Sequence, residues 1–123
     1  MTALSVNLNK IALVRNTRKL GIPSVAKFAT IALEAGADGI TVHPRPDGRH
    51  VRANDVADLA ELLRRWPAAE FNIEGNPEDQ FIKLVLEVVP DQVTLVPDAH
   101  DAITSNSGWD TRAHLSFLKD VIS

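Results

Sequence analysis

The densest run of reactive side chains lies between Gly39 and His50. Gly39-Ile40-Thr41-Val42 has the composition of a short buried strand. The eight residues from His43 to His50 hold two histidines, two arginines, one aspartate and two prolines. Pro44 removes a backbone donor and biases His43 toward an extended conformation. Pro46-Asp47-Gly48 is turn chemistry, with Gly48 free to take a positive φ. An apolar strand therefore delivers ionisable groups onto a stiff turn. Arg45, Arg49 and His50 bring positive charge around that turn, which suits a small anion such as phosphate. His43 is of a type that exchanges protons near neutrality. A solvated basic loop after a strand would have the same local composition.

The flanking elements must hold this loop in place. Leu4 to Asn7 reads as a first strand, with polar Asn7, Asn9 and Lys10 at its exit. Ile11 to Arg18 has helical composition, and Arg15 and Arg18 share a face there as a solvated pair. Gly21-Ile22-Pro23 breaks the chain. Ser24 caps a helix whose apolar positions are Val25, Phe28, Ile31, Ala32 and Ala35, and Gly36 stops it. After the basic loop, Asn54 or Asp55 caps a helix with the stripe Val56, Leu59, Leu62, Leu63 and Trp66. Glu70 to Ile73 reads as a third strand, with Glu74 at its exit. Asn76 and Pro77 then open a helix with Phe81, Ile82, Val85 and Val89 on its apolar face. Gln92 to Val96 is a fourth strand. The polar segment from Pro97 to Gly108 is long enough to be functional or disordered. Asp110 opens a last helix through Leu115, Leu118 and Ile122. His100 and His114 read as surface residues without an evident partner.

Composition removes several classes of function. The chain has 123 residues, enough for one domain with a modest core. A net charge of −3 argues against wholesale nucleic-acid binding. The absence of cysteine excludes disulfides and thiolate metal sites. No apolar run approaches membrane-spanning length, and the first residues lack the regions of a signal peptide. A cytoplasmic protein is the expectation.

Four strand-then-helix units, each with a helix long enough for a right-handed crossover, argue for an α/β fold. Each strand exits into polar residues: Asn7 and Asn9, His43 and Arg45, Glu74, then Asp98 and Thr104. Reactive groups at strand C-termini mark the active face of a (β/α)8 TIM-type barrel. A doubly wound sheet would use the same ends, but no glycine-rich dinucleotide fingerprint is present. Four units make a half barrel, which leaves two strand edges and one sheet face uncovered.

Several stretches resemble the pyridoxine 5′-phosphate synthase family. They are Ser5-Val6-Asn7-Leu8-Asn9-Lys10-Ile11-Ala12, Arg15-Asn16-Thr17-Arg18, the run from Gly36 to Asp47, Arg49-His50, Phe71-Asn72-Ile73-Glu74-Gly75, and Thr94-Leu95-Val96-Pro97-Asp98. Thr104-Ser105 and Gly108-Trp109-Asp110 also fit. The resemblance covers nearly the whole chain and reads residues 1–123 as the N-terminal half of such a barrel. It implies condensation of 1-deoxy-D-xylulose 5-phosphate with 3-amino-2-oxopropyl phosphate to pyridoxine 5′-phosphate, phosphate and water. It implies no metal or organic cofactor, no nucleic-acid or membrane partner, and a homo-oligomer that is an octamer in the family. His43 and Glu74 match catalytic proton acceptors. Arg45, His50 and Thr104 match contacts to deoxyxylulose phosphate. Asn7 and Arg18 match contacts to the aminooxopropyl phosphate. Asn9 and Lys10 occupy a substrate-contacting pair that is Asp-His in some members. A catalytic histidine and the glycine-rich segments for the second phosphate fall outside this half, so turnover by the chain alone is expected to be negligible. The alternative expectation is a non-catalytic, phosphate-binding half barrel that self-assembles.

Overall fold

A computed structural model describes residues 1–99, 102, 103 and 105–123. The strands are β1 (Ser5–Asn7), β2 (Gly39–Val42), β3 (Glu70–Gly75) and β4 (Gln92–Leu95). The helices are α1 (Asn9–Asn16), α2 (Val25–Glu34), α3 (Ala53–Leu63), α4 (Asp79–Val88) and α5 (Leu115–Ile122). The strands form one parallel sheet in chain order, β1-β2-β3-β4. Sequential parallel order with a helical crossover between neighbours is the arrangement of half a (β/α)8 barrel. Among the described residues no helix is long and apolar enough to cross a membrane.

Strand alternation divides the sheet into two chemically different faces. Ile40, Val42 and Ile73 are fully buried, and Phe71 nearly so, in a core shared with Ala12, Ala29, Val56, Leu59, Phe81 and Val85 of the helices. The opposite face is polar. Ser5 Oγ lies 2.7 Å from Thr41 Oγ1, Asn72 Nδ2 donates to Thr41 Oγ1 at 3.3 Å, and Thr94 Oγ1 donates to Asn72 Oδ1 at 2.9 Å. One residue of each strand thus joins a hydrogen-bonded row across the sheet. These bonds satisfy groups that would otherwise be costly to bury, since Thr41 and Asn72 are both buried.

Several sequence expectations are corrected by packing. In α2 the buried positions are Val25, Ala29 and Leu33, while Phe28 and Ile31 are exposed. Ala29 is fully buried between Val25 and Leu33 on the inner face, and Phe28 and Ile31 lie on the outer side. The cap of α3 is Arg52, whose backbone N–H is accepted by Asp55 Oδ2 at 2.9 Å, so Asp55 lies inside the first turn. Helix α4 starts at Asp79, three residues after Asn76, whose side chain is used elsewhere. Val89 lies beyond α4 in the left-handed region, with φ of 53°, and is exposed. Helix α1 starts at Asn9 and ends at Asn16, which leaves Arg18 outside it. Asp110 does not open α5 but anchors a turn, accepting from the N–H groups of Arg112 and Ala113. Ser24 does cap α2, its hydroxyl accepting from Lys27 N at 3.2 Å.

Candidate active site

The site is assembled at the C-terminal ends of the strands. Asn7 Oδ1 accepts from Asn9 N, and Asn9 Oδ1 accepts from His43 N, each at 2.8 Å. The exit of β1 therefore fixes the point where the chain leaves β2. Next comes a tight turn, in which Gly48 N donates to Arg45 O at 2.9 Å and Gly48 takes φ of +63°. Asp47 closes the turn by accepting from Arg49 N at 3.1 Å and Arg49 Nε at 2.7 Å.

Arg45 is buried and joins two loops. Its Nη2 pairs with Asp98 Oδ2 at 2.8 Å, and its Nη1 donates to Ala102 O at 3.1 Å. Arg49 Nη1 reaches the same carbonyl at 2.9 Å. Asp98 also accepts from Ser105 Oγ at 2.6 Å, and its carbonyl accepts from Asn76 Nδ2 at 2.9 Å. The segment after β4 is thereby tied to the turns after β2 and β3. These loops border an open cleft of about 750 Å³ whose wall includes His43, Arg45, Asp47, Asn76 and Asp98.

The register that pairs Val42 with Ile73 places His43 and Glu74 at the next step, on the polar face. The rings of His43 and His50 meet edge to face, with centroids 6.1 Å apart. Burial lowers the pKa of His43, and the Arg45 cation adds to the effect, while Asp98 opposes it. His50 is pushed down to about 4, first by burial and then by the charges of His43 and Arg45. Its Nδ1 also accepts from Val51 N at 2.9 Å, an arrangement that suits the neutral ring. Glu74 is raised by burial and by the neighbouring Asp98 carboxylate. The cluster thus offers imidazoles held neutral and a carboxyl group with enhanced basicity. Such groups can accept protons close to a cationic anchor.

The fold brings His43, Arg45 and His50 together after β2, while Glu74 lies at the adjoining end of β3 near Asp98. Asn7 and Asn9 sit at the neighbouring end of β1, where each already serves the backbone. Lys10 is exposed in the first turn of α1. Arg18 is exposed beyond α1, beside a shallow depression with Val14, Leu20 and Ile22, and is not brought to the cleft. Thr104 and His100 lie outside the described residues. His114 is exposed but not alone, its ring packing 5.2 Å from that of Trp109.

A profile of the family described as "Pyridoxal phosphate biosynthesis protein PdxJ" matches residues 4–123. The chain belongs to the PdxJ family. It is 57% identical to a pyridoxine 5′-phosphate synthase of Cytophaga hutchinsonii over 123 residues, covering all of this chain and 50% of the relative. It is 60% identical to that of Bacteroides thetaiotaomicron over 122 residues, again 50% of the relative. The protein of the same name from Agrobacterium fabrum is 57% identical over 120 residues. The chain spans about half the length of these curated relatives. In this PdxJ-family chain, residue types alone mark Arg15 as a solvated helix face and Asp55 as a cap. They do not reveal that Arg15 and Asn16 hold the His50 carbonyl, that Asp55 holds Arg15 and Arg52 N, or that Ser5, Thr41, Asn72 and Thr94 form a row. The alternation of Ile40-Thr41-Val42-His43 and Phe71-Asn72-Ile73-Glu74 carried a signal for the row. Arg15 and Asp55 are 40 residues apart, and no local pattern links them.

Proposed function

We propose that this chain provides the deoxyxylulose-phosphate side of a pyridoxine 5′-phosphate synthase site in vitamin B6 biosynthesis. The carrying observation is the cluster of His43, Arg45 and His50 after β2, with Glu74 at the adjoining end of β3, in a chain 57% identical to a named synthase. The reaction joins 1-deoxy-D-xylulose 5-phosphate and 3-amino-2-oxopropyl phosphate, releasing phosphate and water. It needs a carbonyl–amine condensation and several proton transfers. In this reading Arg45 and His50 hold the sugar phosphate, Arg45 exchanging its Asp98 and Ala102 partners for phosphate oxygens. His43 takes a proton from the bound substrate, and its lowered pKa keeps it in the accepting form at neutral pH. Glu74 serves as a second acceptor, its pKa raised toward a useful range. The resemblance assigns Asn7 and Arg18 to the aminooxopropyl phosphate, Arg18 from outside the cleft that His43 and Arg45 line, Asn9 and Lys10 to substrate contact, and Thr104 to the sugar phosphate. The amine comes from the substrate, so Lys10 need not form a Schiff base. The protein is proposed to work in the cytoplasm as a homo-oligomer.

A chimera tests the reading. This chain replaces the matching half of the Cytophaga hutchinsonii relative, and pyridoxine 5′-phosphate formation is assayed. The chimera is expected to turn over, and His43→Ala or Glu74→Gln within it to lower kcat at least 100-fold. A folded chimera without product, or variants of undiminished rate, would overturn the assignment. The 123-residue chain by itself is expected to form negligible product.

A further inference from the structure

His50 sits in a segment anchored by α1, more than 30 residues away in sequence, and by α3, which begins three residues after it. On α1, Asn16 Nδ2 donates to both Arg49 O at 3.0 Å and His50 O at 2.8 Å. Arg15 Nη2 adds a longer contact to His50 O at 3.3 Å. Arg15 also forms a two-pronged ion pair with Asp55 of α3, Nη1 to Oδ1 and Nη2 to Oδ2, the latter at 2.8 Å. Asp55 is buried, and its Oδ2 accepts from Arg52 N as well, at 2.9 Å. Asn16 Oδ1 in turn accepts from Arg15 Nε at 3.0 Å and Nη2 at 2.9 Å, which aims its amide at the carbonyls. The segment from Arg49 to Arg52 is thus held at both ends. Within it, Val51 N donates to His50 Nδ1, which assigns the ring proton to Nε2.

We propose that Arg15, Asn16 and Asp55 are positioning residues that clamp this segment, so that His50 serves substrate as a neutral Nε2–H donor of fixed direction. The clamp deepens the reading of His50 as a phosphosugar contact and rests on it. A neutral donor set beside Arg45 recognises a phosphate or hydroxyl oxygen by direction, while the arginine supplies the charge. The charged and titratable groups around the ring are His43, Arg45, Asp47 and Arg49 of its own loop. Arg15 approaches from the side of its backbone carbonyl, and Asp55 reaches Arg52 N two residues further on. None of the clamp residues needs to touch substrate for this role.

The test is a pH series of imidazole ¹⁵N spectra on the 123-residue chain and on Asn16→Ala. In the parent, His50 is expected to show a single Nε2–H tautomer and to titrate near 4. In Asn16→Ala the loosened segment admits water, tautomers mix, and the proton affinity of His50 rises at least tenfold while the amide spectrum stays folded. A folded variant with His50 unchanged, even one of lowered Tm, would make Asn16 a merely structural residue and overturn the proposal. Should Asn16→Ala fail to fold, Asn16→Ser decides. It removes the amide donations to the carbonyls without adding a charge, so an unshifted His50 there also overturns it. Unfolding of both variants counts against it equally. The measurement does not depend on turnover, so a folded but inactive chimera would sink the synthase reading and leave this result standing.

Discussion

At the scale of single residues, the site works by making ordinary side chains less charged than water would. His43 and His50 both bind protons less readily than a free imidazole, with burial as the leading cause. That has a consequence for stability. Unfolded His50 takes up its proton near the ordinary value of 6.5, whereas folded His50 does so only near 4. Its contribution to stability is therefore complete above 6.5 and lost as pH falls toward 4. His43 acts with the same sign. Glu74, raised above its ordinary 4.5, acts with the opposite sign, because its folded form holds the proton more tightly. Comparing urea midpoints of the parent and His50→Gln across this range separates the terms. The parent is expected to lose stability relative to His50→Gln on acidification, and parallel curves would contradict this account.

The elements position these residues through close approaches as much as through caps. Gly75 ends β3 directly after Glu74, and α4 packs Phe81 over it. A Cβ at position 75 would lie 2.3 Å from Phe81 Cε2, closer than any contact allows. Phe81 is buried, so the ring has little room to withdraw. Gly75→Ala is expected to destabilise the chain by about 1–3 kcal/mol through overpacking. Urea unfolding would measure it, and a loss below about 0.5 kcal/mol would show that α4 shifts freely. Helix α3 illustrates a different device. Its first turn carries Asp55, which serves Arg52 of the same helix start and Arg15 of α1 at once. A capping residue thereby becomes the link between two crossover helices and the loop between them.

Across the whole molecule, helices α1 to α4 cover one face of the sheet, and the polar row of Ser5, Thr41, Asn72 and Thr94 lies on the other. Parallel sheets are ordinarily covered on both faces, and among the described residues β1 and β4 each have one neighbour in the sheet. Phe28, Ile31, Leu20 and Ile22 add exposed apolar surface on the helical side. These surfaces favour association, and native mass spectrometry of the 123-residue chain is expected to show species above its 13.4 kDa monomer. A monomer at micromolar concentration would contradict the proposed homo-oligomer.

The order of strands and helices, the turn at Gly48 and the reactive content of the strand ends were legible in the amino-acid sequence. Each depends on neighbours in the chain: period-2 and helical spacing, a proline that fixes φ, a glycine that permits a positive one. The family, too, was legible, because Gly36 to Asp47 and Phe71 to Gly75 carry its motifs. Only the tertiary structure decided which side of α2 faces the core, where Asn76 and Val89 end up, and that Arg18 stays away from the cleft while Arg15 anchors the His50 loop. It alone brought Asp98 onto Arg45 across 53 residues and Arg15 onto Asp55 across 40. The physical reason is that an ion pair or a packed stripe is chosen by what surrounds it in space. Burial, which sets the proton affinities of His43, His50 and Glu74, is likewise a property of the assembled sheet and loops and of no segment of the chain taken alone.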